Sequence, residues 1–226
     1  MSCPTGIELI GTAPWGTHFC EFYAGEQDLI DILVPYFKAG LRHDESCLWV
    51  TAPCLPSAAA WQALQQAVPD LDSYRQRQRI EIIPHTEWYL VDGRFDGQRA
   101  SLAWARKLEA ALKRGSAGRR LSDTFWLDTT ETTSFVEYES NLDRVIGQHR
   151  MLALCPYPLE RCKAIEVVHV MRNHQFALLK RDGVWERFES FGRGQMQHEL
   201  NRARESLRAS EQRLHHIHRS HNEFLG

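Results

Sequence analysis

Short apolar runs alternate along most of the chain with stretches whose apolar residues recur at helical spacing. The runs predict strands at residues 17–23, 46–51, 79–84, 120–125 and 150–155. The stretches between them predict helices at residues 26–41, 56–68, 96–114 and 132–146, followed by a shorter helix within residues 159–173. Elements in this order favour an α/β fold, a mostly parallel sheet flanked by helices on both faces.

A hairpin is predicted after the last of these helices. Residues 176–180 and 184–188 are strand candidates on either side of Arg181-Asp182-Gly183. Asp-Gly between two apolar segments is typical of a hairpin turn. This hairpin predicts an antiparallel edge on the otherwise parallel sheet.

The chain changes character at Gly192-Arg193-Gly194. Residues 1–191 form the predicted α/β domain, and residues 192–226 are predicted to be one helix. The boundary therefore separates a globular domain from a helical appendage.

A narrow seam runs along the appended helix. Its positions follow alternating steps of four and three, and Ser210 and His221 are its polar members: Met196, Leu200, Ala203, Leu207, Ser210, Leu214, Ile217, His221 and Phe224. Such a seam of about four heptads predicts a coiled coil, and hence a homodimer through residues 196–225. The alternative is an amphipathic helix packed on its own domain, although so narrow a stripe buries little area by itself.

The composition narrows the class of protein. Hydrophobic residues make up 43% and charged residues 25%, with a net charge of −2, so no strong field attracts nucleic acid or an anionic membrane. No apolar run approaches the ~18 residues of a membrane span, and the N-terminus does not resemble a signal peptide. The six cysteines are predicted to be reduced thiols of a cytoplasmic protein.

A small-molecule site is predicted where the parallel strands end. In such sheets ligands bind at the carboxyl ends of the strands, and this sequence places polar or aromatic residues on or after the strands. The candidates are His18, Cys20, Tyr23, His85, Glu87, Trp88, Tyr89, Asp123, Trp126, Cys155, Tyr157 and His174. For any one of them, ordinary packing is the competing explanation.

A phosphate-binding loop is missing from the place where a nucleotide hydrolase needs one. The segment Tyr23-Ala24-Gly25-Glu26-Gln27-Asp28 has one glycine, no lysine and two acidic residues. Like charge repels phosphate, so ATP hydrolysis of the usual kind is not expected.

Other chemistry has weaker support in the sequence. No CxxC pair occurs, so no zinc-ribbon site is expected, and the sequence identifies no cofactor. A metal or haem site built from His18, Cys20, His85 and Cys155 is a minor alternative. A cysteine-dependent enzyme, with Cys155 as nucleophile and His174 or His85 as base, is another. We assign no catalytic residue and expect no metal.

Eight short motifs follow one another along roughly residues 12–188. They are HFCEFY at 18–23, VPYFKAGL at 34–41, CLWVT at 47–51, IEIIP at 80–84, EWYL at 87–90, GRFD at 93–96, CPY at 155–157 and NHQFAL at 173–178. Their combined resemblance is to the MEDS domain, the sensory domain of methanogens, methylotrophs and the dichloromethane-dehalogenase regulator. This resemblance implies a RecA-like core without a phosphate loop, and a role in sensing small hydrocarbon-like or one-carbon molecules.

The end of the chain carries a second resemblance. Residues 220–226 are similar to the segment before the phosphoacceptor histidine of histidine kinases, although Asn222 stands where an acidic residue follows that histidine. This implies the sensor part of a two-component signalling protein, with a kinase or regulator domain downstream. The expected function is therefore ligand sensing without catalysis, and the alternative is a degenerate ATPase-like module that binds another protein.

Overall fold

A computed structural model describes residues 2–92, 94–122 and 132–190. At residues 91, 132–137 and 140 only the backbone is described. Two of the predicted site residues, Asp123 and Trp126, and the predicted coiled-coil segment 196–225 lie outside the described residues.

Strands and helices follow one another along the described chain. The strands are β1 (Ser2–Pro4), β2 (Thr12–Pro14), β3 (Thr17–Tyr23), β4 (Ser46–Thr51), β5 (Ile80–Pro84), β6 (Leu90–Val91), β7 (Arg94–Phe95), β8 (Arg119–Ser122), β9 (Met151–Pro158), β10 (Phe176–Arg181) and β11 (Val184–Glu189). The helices are α1 (Glu26–Arg42), α2 (Ser57–Ala67), α3 (Leu71–Gln76), α4 (His85–Tyr89), α5 (Gly97–Lys113), α6 (Thr132–Gln148) and α7 (Ala164–Asn173). A 3₁₀ turn, Leu159–Arg161, precedes α7.

The main sheet has seven strands in the order β11-β10-β3-β9-β8-β4-β5. Every neighbouring pair is parallel except β10 and β11, which form the predicted antiparallel edge. The predicted α/β fold with a mostly parallel sheet is therefore confirmed. The first strand of the sheet in sequence, β3, lies between β9 and β10, which are its last two parallel strands.

Helices cover both faces of this sheet, and the strands alternate between two apolar layers. On β4, Cys47 and Trp49 pack on the face covered by α1 and α2, where the Trp49 ring stacks on Phe37 at 5.1 Å. Leu48 and Val50 pack on the other face, with residues of α5 and α6. Burial on both faces explains why the strands appear in the sequence as continuous apolar runs.

Several elements were not predicted. The β1–β2 hairpin and α3 are short and lack a long apolar period. The predicted fifth strand ended at Cys155. The structure continues β9 to Pro158, with Pro156 opposite Glu21 of β3. No described helix combines the length and apolar character that a membrane span requires.

Candidate functional site

Four buried side chains converge between the sheet and the helices α6 and α7. They are His18, Glu139, Cys155 and His174, and none is more than 3% exposed. One ligand-type atom from each lies within 4.8 Å of those of the other three. We call this group the buried polar centre.

Two neighbouring parallel strands supply the first pair of side chains. His18 lies opposite Ala153 in the register of β3 and β9, and Cys155 lies opposite Cys20. Side chains two residues apart on a strand point to the same face, so His18 and Cys155 are diagonal neighbours. The Nε2 atom of His18 is 3.1 Å from the Sγ atom of Cys155.

The second histidine follows the last residue of α7. Its Nδ1 atom lies 2.7 Å from the backbone carbonyl of Val170, one turn earlier in the helix. A carbonyl only accepts hydrogen bonds, so Nδ1 of His174 carries a proton, and the neutral form of the ring has its lone pair on Nε2. That Nε2 atom is 3.8 Å from Oε2 of Glu139, and the rings of His174 and His18 lie 4.1 Å apart.

A carboxylate holds the other ring nitrogen of His18. Oδ1 of Asp143 lies 3.3 Å from Nδ1 of His18, and the Asp143 side chain is 19% exposed. A proton on Nδ1 donates to this carboxylate and leaves Nε2 as the acceptor facing Cys155. Asp143, His18 and Cys155 thus form a chain of polar contacts leading inward.

Helix α6 supplies both carboxylates, and the sequence interpretation missed them. Glu139 and Asp143 are four residues apart, which places them on neighbouring turns of one helix face. The apolar residues Tyr138, Leu142 and Ile146 of the same helix are buried against the sheet. A glutamate directly beside a buried apolar position of an amphipathic helix was the available signal.

The surroundings of the buried polar centre are apolar. Cys20, Phe22, Tyr157 and Val170 belong to the same buried cluster as Cys155. The Tyr157 ring meets His174 edge-on at 5.8 Å. Burial, together with the nearby Glu139 carboxylate, raises the pKa of the Cys20 thiol well above its usual range. Cys20 is therefore a neutral thiol beside the centre.

The structure brings five of the predicted site residues together and places five others elsewhere. His18, Cys155 and His174 belong to the buried polar centre, and Cys20 and Tyr157 lie next to it. Tyr23 packs on the opposite face of the sheet, with the α1 core, and burial is the main cause that raises its pKa far above the usual range.

The residues predicted after the third strand form α4. Trp88 packs on Trp104 at 4.4 Å, and Tyr89 meets Tyr138 edge-on at 6.1 Å. In the same helix, His85 is half-buried, which lowers its pKa, and Glu87 is exposed. The two aromatic residues thus pack within the core shared by α5 and α6.

The turn between β3 and α1 contains Ala24 and Gly25 alone. Oδ2 of Asp28 accepts a hydrogen bond from the backbone amide of Ala24 at 2.9 Å. The ammonium group of Lys180 pairs with Asp28 at 3.0 Å and with Asp31 at 3.2 Å. The Asp28 carboxylate thus takes up a backbone N–H in the turn where phosphate-binding proteins of similar architecture bind phosphate.

Comparisons with known proteins agree with this architecture. A KaiC-like protein from the hyperthermophilic archaeon Pyrococcus horikoshii OT3 has a similar structure, with a TM-score of 0.55 at 14% sequence identity. The similarity covers 83% of this chain and 85% of that protein, and it shows a shared RecA-like fold. No match was found among curated proteins. The MEDS family, described as the methanogen/methylotroph, DcmR sensory domain, matches residues 17–175, so the chain belongs to this family of sensory domains.

Proposed function

We propose that this chain senses a small molecule at the buried polar centre and transmits the binding event through its C-terminal helix, paired with a second copy. The observation that carries the proposal is the convergence of His18, Glu139, Cys155 and His174 inside a domain of a sensory family. The ligand class that we propose is a small hydrocarbon-like or one-carbon compound.

The physical support is the cost of burying such groups. A polar side chain taken out of water costs roughly 1–3 kcal/mol unless it is compensated, and ionised groups cost more. Perturbed polar clusters of this kind concentrate at functional sites. The apolar walls formed by Phe22, Tyr157 and Val170 suit a small, largely apolar ligand that a few polar atoms orient.

A route from the centre to the C-terminal segment follows the order of the elements. His174 directly follows α7 and precedes β10 and β11, the strands that lead to Ser190. In our proposal, ligand contact with His174 shifts these strands and with them the paired helices of residues 196–225. A shift of about 1–3 kcal/mol between two arrangements is sufficient for signalling.

Thermal-shift screening tests this function. We expect at least one small hydrocarbon-like or one-carbon compound to raise the melting temperature of the full chain. His174→Ala should abolish that shift, whereas the control Cys54→Ser, at an exposed thiol, should preserve it. A flat response of folded protein to all such compounds contradicts the proposal and favours a protein-interaction module.

One observation supports a second candidate, a cysteine-dependent enzyme. Cys155, His18 and Asp143 follow the order nucleophile, base and orienting carboxylate. The base in this arrangement is His18, not His174 or His85. Labelling with a thiol reagent at neutral pH separates the candidates, because sensing through a buried Cys155 predicts that Cys155 reacts far more slowly than the exposed Cys54 in the folded protein.

A further inference from the structure

We infer that His18, Glu139, Cys155 and His174 hold one divalent transition-metal ion of the zinc type. The inference concerns the resident chemistry of the centre, and it stands whether or not a small molecule is sensed there. It replaces the expectation from sequence that the chain holds no metal.

The donor set selects the class of ion. Two imidazoles, one thiolate and one carboxylate are the ligands that proteins use for zinc. The thiolate and the imidazoles disfavour magnesium and calcium, which prefer oxygen ligands throughout. Cobalt(II) accepts the same ligands and serves as a spectroscopic probe for the site.

The separations fit a four-coordinate ion after a small adjustment. Bonds of about 2.0–2.3 Å in a tetrahedral site place the ligand atoms roughly 3.3–3.7 Å from one another. Nε2 of His18 and Sγ of Cys155 are 3.1 Å apart, and Nε2 of His174 and Oε2 of Glu139 are 3.8 Å apart. Since all four atoms lie within 4.8 Å of one another, side-chain movements of under about 1 Å bring them to bonding geometry.

The orientation of both histidine rings is independent support. Metal-binding histidines usually donate their second ring N–H to a carboxylate or a backbone carbonyl. Nδ1 of His18 faces the Asp143 carboxylate, and Nδ1 of His174 faces the Val170 carbonyl. Each contact fixes the tautomer that turns an Nε2 lone pair towards Cys155 and Glu139.

Charge balance points the same way. With Cys155 and Glu139 ionised, the four side chains carry two negative charges within an apolar cluster. Buried charges of this kind are tolerated when they coordinate a metal, and a divalent ion neutralises both. Metal binding then displaces the thiol proton, as coordination of cysteine requires.

The ligands come from β3, α6, β9 and the end of α7. No two of them are close in sequence, so the short spacings that identify zinc sites in a sequence do not occur. The sequence alternative of His18, Cys20, His85 and Cys155 shares His18 and Cys155 with the site in the structure, which adds Glu139 and His174.

Metal analysis and cobalt loading of the purified full chain test the inference. We expect about one tightly held ion per chain and, after chelation and reloading with Co²⁺, a thiolate-to-cobalt charge-transfer band. Cys155→Ser should abolish that band. The matched control is Cys47→Ser, a buried thiol on the opposite face of the sheet, and it should retain the band.

A second measurement does not depend on the folding of any variant. X-ray absorption of the zinc-loaded natural chain should show one sulfur and otherwise nitrogen or oxygen neighbours, at about 2.3 and 2.0–2.2 Å. Folded chain that binds neither zinc nor cobalt overturns the inference, as does an ion with no sulfur neighbour. A small molecule that stabilises the metal-free protein as much as the metal-loaded protein would support sensing independently of the metal inference, so the two claims can be tested separately.

Discussion

The Nε2 atom of His18 lies 3.1 Å from the Sγ atom of Cys155, across the two parallel strands at the centre of the sheet. Both side chains are fully buried and point towards α6 and α7. At this distance, an imidazole and a thiol form a hydrogen bond when no metal is bound. When a metal ion is bound, both can coordinate it. In a MEDS sensory domain, this pair is where we expect the chemistry of recognition to begin.

The buried ion pair between Arg120 and Glu45 should contribute strongly to the free energy of unfolding. Arg120 and Glu45 form two hydrogen bonds, at 2.8 and 2.9 Å, and both side chains are at most 1% exposed. Because Arg120→Met leaves the Glu45 carboxylate buried without its partner, we expect a loss of about 3–5 kcal/mol in the free energy of unfolding.

The exposed pair between Lys113 and Glu109 is the matched control, with side chains 73% and 66% exposed. Lys113→Ala should lower the free energy of unfolding far less than Arg120→Met, because water screens such pairs. Urea unfolding of both variants measures the contrast. Equal losses at the two sites would contradict the assignment of Arg120 to a buried structural pair.

Two glycines should respond to alanine with opposite signs. A Cβ atom on Gly40 would meet Nε of Arg120 at 2.8 Å and Sγ of Cys47 at 3.0 Å. We expect Gly40→Ala to destabilise the protein by about 1–3 kcal/mol through this overpacking. At Gly147, within α6, nothing lies within 4 Å of the added carbon, so alanine should stabilise by about 0.5–1 kcal/mol. Thermal unfolding of the two variants at one pH gives the answer.

Glu21 should make stability decline with rising pH. Burial, reinforced by the nearby carboxylates of Asp28 and Asp31, raises its pKa well above the usual 4.5. Below pH 4.5 both folded and unfolded states hold the proton; above it the unfolded state releases the proton first, which favours unfolding. The contribution is at most about 1.4 kcal/mol per pH unit, and it continues until the folded carboxyl itself ionises.

Glu21→Gln removes this dependence. We expect the variant to be more stable than the natural chain near pH 7 and to differ little from it below pH 4.5. Glu87→Gln, at an exposed position of α4, is the control and should follow the natural chain throughout. Urea unfolding of both proteins across this pH range is the measurement. A natural chain that is more stable than Glu21→Gln near pH 7 would refute the prediction.

The seam of residues 196–225 predicts a concentration-dependent dimer. Leu207→Glu places a charge in the predicted interface, so it should weaken dimerisation at least about tenfold, whereas Gln212→Glu, outside the seam, should have little effect. Sedimentation equilibrium of the full chain measures both. A natural chain that remains monomeric at high concentration would rule out transmission through a paired helix.

Sequence periodicity was sufficient to locate strands of the main sheet, because a strand buried on both faces appears in the sequence as a continuous apolar run. It predicted β4 as residues 46–51 and the hairpin at Asp182-Gly183, where the structure has them. The candidate site was harder to predict. The rule that ligands bind at the carboxyl ends of strands does not indicate which side chains lie between the sheet and the helices that cover it. Glu139 and Asp143 were missed because their role depends on how α6 packs; the position of Glu139 beside an apolar residue was a local signal, but it does not indicate which side chains the carboxylates meet.

Hydrogen–deuterium exchange of the full chain, with and without a stabilising compound from the thermal-shift screen, tests the location of sensing most directly. Binding at the buried polar centre predicts slower exchange in β3, β9 and the end of α7, the elements that carry His18, Cys155 and His174. Slower exchange confined to α4, with those three elements unchanged, would contradict it.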